Sequence, residues 1–225
     1  MELIFFAALA LYIFLRLFKE FGKINEDEKR NLEEIVAKKK EKMQEVQQQM
    51  IEKAKQQIAQ AISTQAKIEE EILSSIDHNN REIFLSIIQR SNITAEFFLN
   101  GAKSVFEMVL KSFAEGNLAE LKTLLSEKIY QGFEGAVNQR NAENKKMVTN
   151  LIAIDDAKII SAQITDNLAL VTVSFSSRQI NYLLNQTDEI IEGRKDEIAQ
   201  VHDTWTFKRD LNSTSPNWVV NATLN

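Results

Sequence analysis

Residues 168–175 read LALVTVSF, and this stretch decides the fold. In an extended chain, one side of this stretch carries Ala169, Val171, Val173 and Phe175. The other side carries Leu168, Leu170, Thr172 and Ser174. Alternation with a period of two is typical of a β-strand that packs one face on other elements. We therefore expect a sheet with one face covered by helices.

The neighbouring sequence supplies partners for this strand. A turn is expected at residues 165–167, and another at residues 212–217, which include the chain's one proline. Further strands are expected at residues 159–164, 190–193, 199–207 and 218–223. The order of strands along the chain favours an antiparallel meander.

Helical patterns precede the strands. Residues 92–113 carry apolar side chains at helical spacing, and Gly116 is expected to end this helix. Asn117 begins a second helix, with Glu120 placed to complete a capping box. Ser126 is expected to cap a third helix. Helices followed by a meander predict an α+β domain with helices packed on a curved antiparallel sheet.

Aromatic residues recur on the inward side of these elements. A helix layer against a concave sheet commonly leaves a pocket. The predicted pocket-lining residues are Phe106, Phe113, Phe133, Phe175, Trp205, Phe207 and Trp218. The alternative interpretation is that these rings simply fill the core.

The N-terminus begins with an apolar run, residues 3–15, which reads LIFFAALALYIFL. As a helix this run covers roughly 20 Å, and it approaches the roughly 30 Å of a bilayer core only if Arg16 and Lys19 extend toward the headgroups. It predicts a transmembrane anchor within residues 1–24, with a cleaved signal peptide and a buried or interfacial helix as alternatives. The predicted anchor side chains are Leu3, Phe5, Phe6, Leu9, Leu11, Phe14 and Leu15.

Residues 25–90 are predicted to form a charged helical stalk between the anchor and a C-terminal domain at residues 91–225. Lys, Glu and Gln dominate the stalk, and apolar residues recur thinly from Leu32 to Ile62. This is a weak coiled-coil pattern. The charged face is either simply solvated or allows the stalk to contact a partner or a second copy of itself.

Composition excludes several classes of function. With no cysteine among 225 residues, disulfides, thiolate metal sites and cysteine nucleophiles are ruled out. The net charge of −5 gives no reason to expect nucleic acid. We expect no cofactor, no metal and no enzymatic activity, because His78 and His202 fit solvated positions. Asp203, beside Trp205, is either a pocket acid or a residue that braces Arg209 or a loop amide.

Several motifs together resemble a known family. They are residues 98–103 (FLNGAK), Phe106, residues 113–117 (FAEGN), Leu121, and residues 171–176 (VTVSFS), 203–210 (DTWTFKRD) and 216–218 (PNW). In this order they are similar to the C-terminal domain of mitochondrial import inner-membrane translocase subunit 44 and its bacterial relatives.

The resemblance implies a nuclear-transport-factor-2-like cone fold and a membrane-associated, non-enzymatic role. It implies an adaptor in protein transport or membrane-protein assembly whose partners are membrane lipid and a membrane protein or chaperone. Because Arg16, Lys19 and Lys23 follow the apolar run, the rest of the chain is expected in the cytoplasm or its organellar equivalent. The resemblance to anchored bacterial relatives implies the bacterial inner membrane as the location. The alternative is a tethered cone-fold protein that binds or converts a small molecule, like an isomerase or dehydratase.

Overall fold

The computed structural model describes residues 2–21 and 26–224, and the side chains of residues 10–20 and 26–224. The helices are α1 (Glu2–Phe21), α2 (Glu26–Ser74), α3 (His78–Ser91), α4 (Ala95–Glu115), α5 (Leu118–Leu124) and α6 (Glu127–Ala142). The strands are β1 (Lys146–Thr165), β2 (Leu168–Leu184), β3 (Ile190–Gly193), β4 (Ala199–Asp210) and β5 (Val219–Leu224). The chain divides into two compact units, Met1–Ser63 and Thr64–Asn225.

The first unit contains α1 and most of α2. Helix α2 is one continuous helix of 49 residues, and none of its residues is buried. Its first turn carries three acidic residues, which interact favourably with the positive end of the helix dipole. The predicted helical character of the stalk is confirmed here.

Helix α1 does not bear out the predicted transmembrane span. Among the described residues, no helix is both long and apolar enough to cross a bilayer. The apolar run is short, and it is followed by the charged residues Arg16, Lys19 and Glu20. Of the predicted anchor side chains, Leu11, Phe14 and Leu15 are 58–62% exposed. The side chains of Leu3, Phe5, Phe6 and Leu9 lie outside the described residues.

The second unit is built on an antiparallel sheet in the order β1-β2-β4-β5, with β3 paired to β2. A tight turn joins β1 to β2, and Asp166 in this turn has a positive φ of 56°. The register of β1 against β2 shifts at three places, and such bulges bend and twist a strand. The predicted α+β arrangement is confirmed, whereas the cone-type fold stays a prediction.

The core lies between the helices and one face of the sheet. The predicted inward residues of β2, from Ala169 to Phe175, are fully buried, which confirms the alternation. Strands β1 and β2 are 20 and 17 residues long and extend well beyond the predicted segments. This extra length matters because it carries polar residues past the apolar part of the sheet.

Local signals place most of the helix ends. Gly116, at a φ of 72°, ends α4 as predicted. Asn117 caps α5 by accepting from the backbone N–H of Glu120, and Glu120 accepts in turn from the Asn117 side chain. Ser126 does precede α6, but its hydroxyl makes no capping hydrogen bond. Its backbone N–H donates instead to the carbonyl of Val220 at 2.8 Å.

Helix α3 also contributes to the core. The carboxylate of Asp77 accepts from the backbone N–H of Asn80 and so caps the helix. The Asn80 side chain then accepts from the backbone N–H of Ala162 in β1 at 2.8 Å. The core residues of α3 are Phe84, Ile87 and Ile88. The domain limits predicted at residues 24 and 90 stay predictions, because compactness does not show which segments fold alone.

Candidate functional site

The second unit contains an open cleft of about 510 Å³, here called the main cleft, between α4 and α6 on one side and the sheet on the other. It is lined by Val109, Leu110, Phe113, Lys128, Ile129, Gly132, Phe133, Ala136, Met147, Thr149, Gln179, Asn181, Val201, Asp203, Trp205 and Thr223. A cleft of this volume is within the usual range for small-molecule sites.

The helical wall of the main cleft is apolar. The rings of Phe113 and Phe133 meet edge to face with their centroids 5.0 Å apart. Arg140 fastens α6 to the end of α4, since its Nη2 donates to the Phe113 carbonyl at 2.7 Å and its guanidinium lies over the Phe113 ring. Burial lowers the pKa of Arg140 below its usual value. This packing holds the helical wall in place.

The sheet wall of the main cleft is polar. Thr149 of β1 pairs directly with Asn181 of β2, and Asp203 of β4 pairs with Phe175 of β2. Gln179 is 3% exposed and Asp203 is 6% exposed. The sheet therefore presents two amide side chains, a hydroxyl and a carboxyl to the cleft, with the Asp203–Phe175 pair six residues along β2 from Asn181. We call these four residues, Thr149, Gln179, Asn181 and Asp203, the polar wall.

A chain of hydrogen bonds orients the amides of the polar wall. Gln179 donates from Nε2 to the hydroxyl of Ser177 at 2.9 Å, and Asn181 donates from Nδ2 to Oε1 of Gln179 at 3.1 Å. The remaining acceptor, Oδ1 of Asn181, is buried without a partner, and so is Oγ1 of Thr149. An unpaired buried polar atom costs about 1–3 kcal/mol. The wall therefore gains stability when a ligand or water supplies donors.

Asp203 is the acidic member of the polar wall. Burial raises the pKa of Asp203 above its ordinary 3.8, against smaller lowering effects from Trp205 and His202. None of the ion pairs formed among the described residues includes Asp203. The indole N–H of Trp205 lacks a hydrogen-bond partner of good geometry. Asp203 is thus a buried carboxyl with which no described cation forms an ion pair.

A second groove of about 300 Å³ runs along α4 from Phe97 to Met108, before the part of the helix that lines the main cleft. It is lined by Phe97, Phe98, Gly101, Ala102, Val105, Met108, Thr123, Leu124, Phe207, Pro216, Asn217 and Trp218. None of these residues is charged. Phe97 is 66% exposed, which is a high value for a phenylalanine in a packed unit.

The structure distributes the predicted pocket residues among three places. Phe113, Phe133 and Trp205 line the main cleft, whereas Phe207 and Trp218 line the second groove. Phe106 and Phe175 lie inside the core at 0% exposure, stacked with ring centroids 4.5 Å apart. That any of these residues binds a ligand stays a prediction.

The polar wall was not anticipated, apart from Asp203. A signal for it exists, because the odd-numbered inward positions of β2 continue past Phe175 as Ser177, Gln179 and Asn181. A change from apolar to polar residues along the buried face of one strand indicates that this part of the strand lines a polar site next to the core. The histidines take the expected solvated positions, since His78 has an 81% exposed side chain and His202 is exposed on the face of β4 opposite Asp203.

Comparisons with known proteins support the sequence resemblance. The Tim44-like domain family matches residues 89–225, which is more than half of the chain. No curated protein matches the chain. A solved structure similar to it is the intermembrane space region of the chloroplast protein ARC6, at 11% identity, with 56% of this chain and 94% of that chain covered. The TM-score of 0.37 is too low to support an argument from that likeness.

Proposed function

Because the chain belongs to the Tim44-like domain family, we propose that it is a non-enzymatic adaptor in protein transport or membrane-protein assembly. In this role the second unit holds a protein partner, and the second groove receives an apolar segment of that partner. The observation that carries the proposal is the exposed Phe97 at the rim of an uncharged groove. Large exposed apolar residues beside such a groove are typical of protein interaction sites.

The shape of the second groove supports an extended or helical apolar segment. Phe97, Gly101, Val105 and Met108 follow one another at helical spacing along α4, over about 16 Å. A Cβ atom added at Gly101 would meet no atom within 4 Å. The glycine therefore leaves open space in the groove, which a partner side chain can fill.

Filling this space tests the proposal. The full chain and its Gly101→Trp variant are used to capture partners from detergent-solubilised membranes, followed by mass spectrometry. We expect transport or membrane-assembly proteins with the parent chain and their loss with the variant. The control is Gly135→Trp, at a glycine on α6 that also has open space around it. Identical recovery by the parent and Gly101→Trp contradicts the proposed groove.

We also propose that α1 attaches the protein to a lipid bilayer, on the cytoplasmic face of a bacterial inner membrane. The support is its apolar surface: every described apolar side chain from Leu11 to Phe18 is 47–71% exposed. Leaving such side chains in water costs about 25 cal/mol for each Å² of apolar surface, and an interfacial helix removes that cost. Arg16 and Lys19 add attraction to anionic headgroups.

Vesicle flotation tests the attachment. The full chain is mixed with vesicles of phosphatidylcholine with phosphatidylglycerol and then floated on a density gradient. We expect the parent to float and the double variant Phe14→Glu, Phe18→Glu to remain at the bottom. The control Leu32→Glu, Val36→Glu places the same charges on α2 and should float. Flotation of both variants contradicts the assignment of α1.

A second candidate function rests on the main cleft. If the unit has the nuclear-transport-factor-2-like cone fold, Asp203 lies where a buried carboxyl could serve as an acid or base. Native mass spectrometry that finds a bound metabolite, together with turnover that Asp203→Asn abolishes, would favour this candidate. The adaptor role has the stronger support because the family match covers the whole sheet.

A further inference from the structure

We propose that the main cleft binds a small organic cation, consisting of an ammonium or amidinium group on an apolar body. In this arrangement the Asp203 carboxylate receives the cationic end. The inference goes beyond the proposed adaptor role and does not depend on it, because it concerns a different site that shares no lining residue with the second groove.

Asp203 selects for a cation. Its side chain lines the cleft, is 6% exposed and has no ion-pair partner among the described residues. An ammonium group offers three N–H donors and a positive charge, which match a carboxylate. The unpaired Oδ1 of Asn181 and hydroxyl of Thr149 lie further along the sheet, where they can bind water or a second donor on a longer ligand.

The helical wall selects for an apolar body. Phe113 and Phe133 present aromatic surface opposite the polar wall, and Trp205 lies on the sheet side between core and cleft. Aromatic faces attract cations as well as apolar groups. A ligand with a polar end on the sheet and an apolar end on α4 and α6 satisfies both walls.

Other ligand classes fit the main cleft less well. An anion would approach the Asp203 carboxylate, which is 6% exposed and has no ion-pair partner among the described residues. A fully apolar molecule would leave the Asp203 carboxylate without a partner and remove water from it. The other charged side chain lining the cleft is Lys128, which is exposed to solvent, so its repulsion of a cation is screened.

Three matched probes test the charge preference. They are 3-phenylpropylamine, 3-phenylpropanol and 3-phenylpropanoate, which share one apolar body and differ in the polar end. Binding to the full chain is measured by ligand-observed NMR and by the fluorescence of Trp205, in a Trp218→Phe background that removes the only other tryptophan. We expect the amine to bind at least about tenfold more tightly than the alcohol or the acid.

Two variants test the location. Asp203→Asn keeps the size of the side chain but removes its charge, and it should weaken amine binding about tenfold with little effect on the alcohol. Gly132→Trp should block all three probes, because Gly132 lines the cleft and a Cβ atom there meets nothing within 4 Å. Gly135→Trp places the same bulk on the same helix but outside the cleft lining and should bind as the parent does. Thermal unfolding of each variant establishes that it is folded.

The following results would overturn the proposal. The first is binding of the acid or the alcohol as tightly as the amine. The second is amine binding that is unchanged in a folded Asp203→Asn or Gly132→Trp variant. The third is the absence of amine binding up to about 10 mM, which would show that water alone satisfies the polar wall.

Discussion

Asp203 is held almost out of water, and burial raises its pKa above the ordinary value of 3.8. A carboxyl with a raised pKa in the folded state binds its proton more tightly there than in the unfolded chain. Folding therefore loses stability as pH rises from the unfolded pKa through the folded pKa, and the full loss persists above it. An empty main cleft thus carries an electrostatic cost that a bound cation would relieve.

This cost predicts that Asp203→Asn is more stable than the parent at about pH 7, and that the difference shrinks as pH falls toward about 4. Urea unfolding at several pH values measures it. Asp196→Asn serves as a control, because that side chain is 81% exposed and should show no such pH-dependent difference. A parent more stable than Asp203→Asn at neutral pH would contradict the expected cost of burial.

At Gly193 the local geometry permits only glycine. Its φ is 76°, and an added Cβ atom would collide with the backbone of Asn181 in β2. We predict that Gly193→Ala destabilises the protein by about 1–3 kcal/mol. Gly135→Ala, in the open interior of α6, should instead stabilise by up to about 1 kcal/mol. Chemical denaturation compares the two, and equal midpoints would contradict the clash at Gly193.

At the scale of elements, the end of α2 caps the start of α4. The Glu69 carboxylate accepts from the backbone N–H of Ala95 at 2.7 Å and of Glu96 at 3.2 Å. It does so in addition to Thr94, whose hydroxyl accepts from Phe97. Two of the free N–H groups at the start of α4 therefore depend on a residue 26 positions earlier in the chain.

We predict that Glu69→Ala costs about 1–2 kcal/mol and increases hydrogen exchange in the first turn of α4. The adjacent, exposed Glu70 is the matched control, and Glu70→Ala should change neither quantity appreciably. Hydrogen exchange measured by mass spectrometry resolves the turn from the rest of the helix. Equal protection in the two variants would show that Glu69 does not act as a cap.

Helix ends and strand faces that are determined by neighbouring residues were predicted well from the sequence. Gly116, Asn117 and Glu120 act on neighbouring backbone atoms, so the end of α4 and the start of α5 follow from residue type alone. The inward face of β2 is equally clear, because strict alternation with apolar residues has one simple interpretation.

Elements that depend on distant partners were not predictable in the same way. The hydroxyl of Ser126 does not cap α6, and the Ser126 N–H is held by Val220, 94 residues later. The first half of β1 contains register shifts that break the alternation. The polar wall of the main cleft is built from three strands: Thr149 pairs with Asn181, and Asp203 of β4 pairs with Phe175, six residues earlier in β2.

At the scale of the whole molecule, the core of the second unit begins well before the family match at residue 89. Ile76, Phe84 and Ile87 are 0–2% exposed in this core. We predict that a fragment of residues 64–225 unfolds cooperatively, whereas a fragment of residues 91–225 does not, since it loses these side chains and opens cavities. Circular dichroism and thermal unfolding compare the fragments. A stable, cooperative fragment 91–225 would contradict this.

The central claim is that the second unit binds a protein partner through the groove beside Phe97. The most direct test is a photo-crosslinking amino acid placed at position 97 of the full chain in living cells, compared with the same group at Asn100, an exposed position of α4 outside the groove lining. The adaptor account predicts a discrete crosslinked protein from position 97, lost in Gly101→Trp and absent from position 100. Equal crosslinking from both positions, or none from position 97, would contradict it.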